Sequence, residues 1–386
     1  MSTSASATML IAGDLAPIRK FAPLMASAPL SVYGDLLPLL QDSALNIVNL
    51  ECALSGTQSV VKSGTVFRGS PEHLPSLAPF QVVTLANNHV FDYGEEGFAD
   101  TCELLSAQGI KYLGAGKNRR QAEEPLRLDF AGEKIALLNF CEGEDCTAAG
   151  RSSPGVFGWS PQRACQLIRS LRQEGRQVFV IVHCGLEYIP FPPPYVQNAF
   201  RRLARAGAAA VIGHHPHVPQ GIEYYHGVPL VYSLGNFAFY QETKLYYRKI
   251  GYLLRVTLGK DRRWQFEPLP YSIEDDGLHR LTGACLEAFP ALLQRLSAPL
   301  PKNNAQAWHG FLKYYGLAGF QEEVGRIMAV LSEDPGKGLA MFRNRLLTKQ
   351  HSEHWTAFFN RGINRQLSDA PDWAWQLNQE YFTKHV

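Results

Sequence analysis

Charge of one sign is what the sequence has least of. Lys and Arg number 37 against 35 Asp and Glu across 386 residues, a formal balance of +2. No dense basic stripe accompanies that balance, so the chain offers no electrostatic footprint for nucleic acid or an anionic membrane surface. Long hydrophobic runs are missing as well: none approaches the roughly 20 apolar residues that span a bilayer. Cysteine is sparse and unpatterned. Its seven positions (52, 102, 141, 146, 165, 184 and 285) are odd in number and lack CxxC spacing, which argues against a disulfide scaffold and fits free thiols in a reducing compartment. The opening "MSTSASATMLIAGD" has neither the basic start nor the long apolar core of a signal peptide, and its apolar part reads as a first strand. The expected location is cytoplasmic. Internal repeats and long low-complexity segments are also lacking, and the Pro-rich "IPFPPPY" is short enough to be a stiff loop.

What is present is enough apolar residue, 46%, to bury a sizeable core, in a chain long enough for one large domain and an appendage. Short apolar runs recur as "TMLIAGD", "NIVNLE", "VVTLANNH", "IALLNF", "VFVIVHCG" and "AAAVIGHH". Helical patterns fall between several of them, over 95–108, 161–174 and 197–206, and this alternation predicts a layered α/β domain. "GIEYYHGVPLVYSLGNF" reads as two strands joined at His226-Gly227, and "GYLLRVTLGKDRRWQFEPLPY" as a second pair turning around 259–262. The sheet is therefore mixed, and it is expected to end near Tyr271. From about Leu278 the apolar and aromatic residues take three- and four-residue spacing, which predicts a C-terminal helical module whose Trp and Phe serve packing. The expected domains are 8–275 and 276–386.

Nearly every predicted strand end carries a potential metal ligand. Asp14 follows "MLIAG", Glu51 follows "NIVNL", Asn87, Asn88 and His89 follow "VVTLA", His183 follows "VFVIV", and His214, His215 and His217 follow "AAAVIG". Ligands of open α/β sheets bind beyond the carboxyl ends of strands, so these segments are expected to converge. Taken singly, each has an ordinary explanation: a Gly-Asp turn, a solvated Glu, a core His, an Asn-rich turn. Three His within four residues after an apolar strand are harder to explain by packing. Carboxylate, amide oxygen and imidazole together suit Mn, Fe or Zn, and a carboxylate between two groups of ligands suggests one or two divalent ions acting on an attacking and a leaving oxygen. Glu187 and Asp92 are spaced to orient imidazoles, with surface positions as the alternative, and Glu187 joins His89 as a candidate catalytic residue. Arg68 and Lys62 lie in the loop after Glu51, where a cation could hold a substrate phosphate or carboxylate or simply be solvated. Asn236 either supports the site or caps a strand end.

The set "AGD", "NLE", "LANNHVFDYGEEG", "GAGKN", "HCGLEY" and "AGAAAVIGHHPHVPQGIEYYHGVPLVYSLGNF" resembles the CapA family of capsule and poly-γ-glutamate synthesis, over about Met9 to Tyr271. That resemblance implies a calcineurin-like metallophosphoesterase fold, a four-layer α/β/β/α sandwich with mixed sheets, here followed by the helical module. It implies Asp14 and Glu51 as carboxylate ligands with Glu51 bridging, Asn88 as ligand, and His89 as the residue meeting substrate or leaving group. His183 and a pair drawn from His214, His215 and His217 would complete the metal shell, while Asn87 shapes the turn. Two positions depart from the pattern: Asp14 is followed by Leu15 and Ala16 where the wider superfamily has Asp-x-His, and Cys184 stands where "HWG" is common, which would open the pocket. The implied activity is metal-dependent hydrolysis or transfer at a phosphoester or amide-type bond of a small-molecule or peptide-like substrate, or an accessory binding role in a biosynthetic complex. The helical module is expected as a lid or as a homodimer surface.

Overall fold

The computed structural model describes residues 7–56, 58–142 and 147–386; Cys146 and the first six residues of the opening segment lie outside them. In chain order the strands are β1 (Thr8–Ala16), β2 (Leu45–Leu50), β3 (Val82–Thr84), β4 (Lys111–Leu113), β5 (Ala115–Gly116), β6 (Leu126–Phe130), β7 (Glu133–Cys141), β8 (Gly155–Val156), β9 (Gln177–His183), β10 (Ala208–His214), β11 (Ile222–Tyr225), β12 (Val228–Val231), β13 (Asn236–Phe239), β14 (Ile250–Leu258), β15 (Trp264–Glu274) and β16 (Gly277–Arg280). One sheet runs β16-β15-β14-β1-β2-β3-β4 with β13 added beside β1, a second runs β11-β12-β10-β9-β7-β6, and β5 pairs with β8.

Side-chain alternation places the layers. Met9 and Ile11 of β1 join Ile47, Val82, Ile135, Leu137, Phe179, Ile181, Ala210 and Ile212 in a core between the two sheets. Leu10 and Ala12 point the other way, onto the segment holding Phe21, Met25 and Tyr33. Val178, Val180 and Val182 of β9 face Ile168 and Phe200 from the helices Pro161–Gln173 and Pro194–Arg205. A period of two that is apolar on both faces is what a strand covered on both sides requires. The result is the expected four-layer α/β/β/α sandwich.

Both antiparallel pairs form as read. β11 and β12 turn at His226-Gly227, where both residues have positive φ, and β14 pairs with β15 along its whole length. The large sheet extends past Tyr271, because β15 continues to Glu274 and β16 pairs back onto it; the expected boundary at 275–276 falls within that hairpin. The helical module begins at Gly283–Ser297 and continues as Leu300–Glu333, kinked at Gly316, then Pro335–Leu347, Lys349–Ile363 and Asp372–Thr383. Its Leu296, Leu300, Ala307, Leu377 and Tyr381 are buried with the outer core of the second sheet, so the module is packed onto the sandwich. Among the described residues, no helix is long and apolar enough to cross a membrane, and Cys52, Cys102, Cys165, Cys184 and Cys285 are free thiols.

Candidate metal centre

The parallel strands of the two sheets end at one place. Asp14 on β1 is in register with Asn49 on β2 and Asn236 on β13, and His183 on β9 is in register with His214 on β10. Two glycines permit this crowding: a Cβ at Gly13 would stand 2.2 Å from the Gly235 carbonyl oxygen, and one at Gly213 would stand 2.1 Å from that of Tyr232. Beyond β10 the chain turns through His215 and His217 at φ 98° and 57°, a backbone region unfavourable to residues with a Cβ. Such strain persists where the surroundings enforce it, and it concentrates at functional sites.

The expected ligands face one another. Glu51 is fully buried, and its Oε1 lies 3.5 Å from His183 Nε2, 3.7 Å from His217 Nε2 and 3.9 Å from His89 Nε2. His183 Nε2 also meets Asn88 Oδ1 at 2.9 Å and His215 Nδ1 at 3.1 Å. Asp14 accepts from Asn49 Nδ2 at 2.8 Å and from the His215 amide at 3.3 Å, and its Oδ2 lies 3.6 Å from His217 Nδ1. Donor atoms of Glu51, His183 and His215 lie within 4.8 Å of one another, as do those of Asp14, Glu51 and His217, and those of Glu187, His215 and His217. Glu51 belongs to two of these groups, the position a bridging carboxylate would hold. His214 belongs to none of them; its Nδ1 stands 3.3 Å from Asp14 Oδ1, behind the centre.

Neither oxygen of Glu51 has a hydrogen-bond partner among the described residues. Leaving a buried acceptor unsatisfied costs roughly 1–3 kcal/mol and more for a charged group, and a divalent cation against the carboxylate would remove that cost. The donor set of carboxylate, amide oxygen and imidazole fits such an ion. The electrostatics agree. Burial, with the nearby charges of Asp14 and Glu187, pushes the Glu51 carboxyl well above its ordinary range. Burial also drives His183 well below the usual imidazole range, so it is neutral, the form that binds metals. Burial alone would raise Asp14, but the imidazoles of His214, His183 and His217 hold it well below the carboxylate range.

The Asn-Asn-His turn divides its work among neighbours. Asn87 donates to the Leu50 carbonyl at 2.8 Å and accepts from the amides of His89 and Val90, which fixes the turn. His89 presents Nδ1 to Asp92 at 2.7 Å, so its Nε2 is the atom turned toward Glu51. Lys62, for which a solvated position was the alternative, is buried and donates to Asp92 at 2.7 Å and to the Asn88 carbonyl at 2.7 Å. Burial alone would raise Asp92, but His89 and Lys62 hold it low. Asn236 supports the site, since its Oδ1 lies 2.8 Å from His217 Nδ1.

A cleft of about 1380 Å³ opens onto Asn88, His89, Glu187 and His217, with Arg326, Arg345 and His354 of the helical module on its far side. Two expectations fail here. Arg68 does not reach the cleft: it is exposed and lies over the Tyr93 ring, because Gly69 hydrogen-bonds Ala53 and turns the loop outward, and Lys62 and Phe67 line the wall instead. Cys184 does not widen the pocket, because its side chain points into the outer core of the second sheet. Gln350 escaped sequence reading altogether. It sits at the start of the helix Lys349–Ile363, and with its amide turned to suit its surroundings the nitrogen donates to Glu142 at 2.8 Å and to the Gly185 carbonyl at 2.7 Å and lies 3.1 Å from His215 Nε2. A lone Gln in an amphipathic helix carries no sequence signal for such a contact.

Residues 8–241 match the family model described as bacterial capsule synthesis protein PGA_cap. The chain belongs to that family. Among PGA_cap relatives, a PGA biosynthesis protein CapA from Bacillus subtilis is 31% identical over 231 residues, 59% of each chain. A capsule biosynthesis protein CapA from Bacillus anthracis is 34% identical over 169 residues, 42% of this chain and 41% of that one. A probable polyglutamine synthesis accessory protein from Mycobacterium tuberculosis is 28% identical over 222 residues, 53% of this chain and 58% of that one. The chain thus spans less than two thirds of the length of these relatives. Among solved structures, an NAD nucleotidase from Haemophilus influenzae aligns with a TM-score of 0.45 and 14% identity over 74% of this chain and 56% of that one. The helices after β16 lie beyond the matched family region.

Proposed function

We propose that this PGA_cap chain is a metal-dependent hydrolase or transferase acting at a phosphoester or amide-type bond of a small-molecule or peptide-like substrate, in poly-γ-glutamate or related biosynthesis. The observation that carries the reading is Glu51, a fully buried carboxylate with no hydrogen-bond partner among the described residues, shared by two groups of donors. Asp14, Glu51, Asn88, His183, His215 and His217 would hold one or two divalent ions, with His214 supporting Asp14. Bound ions of this kind supply Lewis acidity and a nucleophile near neutral pH. His89 would then give a proton from Nε2 to the leaving group, kept in orientation by Asp92 at Nδ1. Glu187, on the cleft wall, is the second candidate for moving a proton. The names of the Bacillus relatives support the biosynthetic setting.

Metal analysis of protein purified without chelator, followed by a screen of phosphoesters and γ-glutamyl compounds with Mn added, tests this reading. Glu51→Ala should lose both metal and turnover, and full turnover by metal-free Glu51→Ala protein would overturn it. The Mycobacterium tuberculosis relative is named an accessory protein, which favours a second reading in which the centre serves recognition while a partner performs the chemistry. Full metal content with no turnover of any compound in the screen would select that second reading.

A further inference from the structure

Among the described residues, Arg248 is a cation without a counter-ion. It follows β13 in the short turn Tyr246–Arg248 and lines the cleft together with Tyr188, His217 and Gln241. Its guanidinium carbon lies over the Tyr188 ring, 3.6 Å from the centroid, and its Nε is buried with no hydrogen-bond partner among the described residues. Lys62 is engaged with Asp92, Arg345 with Glu323 and Arg19 with the Tyr240 carbonyl, while Arg326, across the cleft, is exposed to solvent. Glu187 acts on Arg248 only through space.

A partly desolvated guanidinium held by stacking keeps its fork of donors oriented and unspent. An unpaired buried donor is costly to leave unmade, and hydrogen bonds to a charged acceptor are worth about twice those to a neutral one. The stacking partner itself leads to the centre: the Tyr188 ring also neighbours His217, 6.0 Å away between centroids, and Tyr188 is fixed by its amide donating to the Pro216 carbonyl at 2.8 Å. Arg248 therefore stands one aromatic ring from a candidate metal ligand, on the same cleft wall.

We propose that Arg248, stacked on Tyr188, is an anion subsite of the cleft. It binds a carboxylate or phosphate group of the substrate that is separate from the group presented to the metal centre. The subsite selects substrates carrying a second anionic group that reaches the Tyr188 wall of the cleft. As a substrate subsite it rests on the function proposed above, while anion binding at Arg248 itself does not require that reading.

The test is calorimetric titration of glutarate, inorganic phosphate and the uncharged glutaramide into Mn-loaded wild-type protein, Arg248→Gln, Arg248→Lys and Glu51→Gln, with metal content and thermal midpoint measured for each. Wild-type protein should bind at least one of the two anions and not glutaramide. Arg248→Gln should weaken that binding about tenfold or more with metal content unchanged, and Arg248→Lys, which keeps the charge and loses the planar fork, should fall between. Glutarate dependence on Arg248 identifies a carboxylate subsite, and phosphate dependence a phosphate subsite. Anion binding equal to wild type in either folded Arg248 variant overturns the proposal, as does wild-type protein that binds neither anion. Glu51→Gln separates the two readings: loss of metal with Arg248-type anion binding retained supports both, whereas full metal content with that binding retained overturns only the metal role of Glu51.

Discussion

At the scale of single residues, the centre is organised by groups that touch no metal. Asp92 holds His89 at Nδ1 and also neutralises Lys62, a buried ammonium. Asp92→Asn should lower turnover about 100-fold, as loss of a positioned acid does, while metal content stays at the wild-type level. It should also cost roughly 1.5–3 kcal/mol of stability, because the buried Lys62 loses its hydrogen bond to a charged acceptor, a shift read directly as a lower urea midpoint. Gln350→Ala removes the amide that packs against His215 and ties it to Glu142 and the Gly185 carbonyl. Metal affinity should fall about tenfold in a chelator competition, and an unchanged affinity would mean that His215 is held without it. The ligand types themselves were readable from sequence, since a carboxylate, an amide or an imidazole placed directly after an apolar strand has few packing reasons to be there. The division among neighbours was less readable: His214, His215 and His217 are equivalent in spacing, and only the backbone turn at positive φ aims the last two at Glu51 while His214 stays behind Asp14.

At the scale of elements, close approach of strand ends is the constraint. Gly13 and Gly213 each precede a centre residue and each touches a carbonyl of a crossing segment. Ala at either position places a methyl group against backbone that has no rotamer to yield. Gly13→Ala and Gly213→Ala should each cost about 1–3 kcal/mol or more, visible as a lower urea midpoint, and Gly13→Ala should also reduce metal content by displacing Asp14. Strands and their alternation follow from a period of two, so β1, β2, β9 and β10 were expected where they form. The extra hairpin strand β16 was not, because Gly277–Arg280 is four residues long and gains its register only by pairing with β15. Loop direction was likewise beyond reach: Arg68 and Lys62 are six residues apart in one segment, and tertiary pairing sends one outward and the other beneath Asn88.

At the scale of the whole molecule, the helical module carries its own sensitivity to acid. His354 is buried among Trp308, Phe311 and Tyr315, and burial drives its imidazole down to about 3. The unfolded chain takes up a proton near the ordinary value of 6.5 while the folded one does not, so stability falls as pH drops from 6.5 toward 3, at up to about 1.4 kcal/mol per pH unit. Glu323 adds to this at lower pH. Burial opposes its ionisation, but Arg345, Tyr315 and Trp355 hold it at about 2, so its contribution is lost between the unfolded value of 4.5 and 2. Urea midpoints measured from pH 7 to pH 4 should decline accordingly, and His354→Leu should flatten the upper part of that decline. The sequence by itself determined the mixed α/β architecture and the inventory of candidate ligands, because hydrophobic periodicity and the chemistry at strand ends are local properties. Only the tertiary structure decided which histidines meet at Glu51, that Gln350 reaches His215 from 135 positions further along the chain, and that the C-terminal helices face the centre across a cleft holding Arg248. Those are contacts between segments distant in sequence, set by how the layers and the module pack, and no local pattern encodes them.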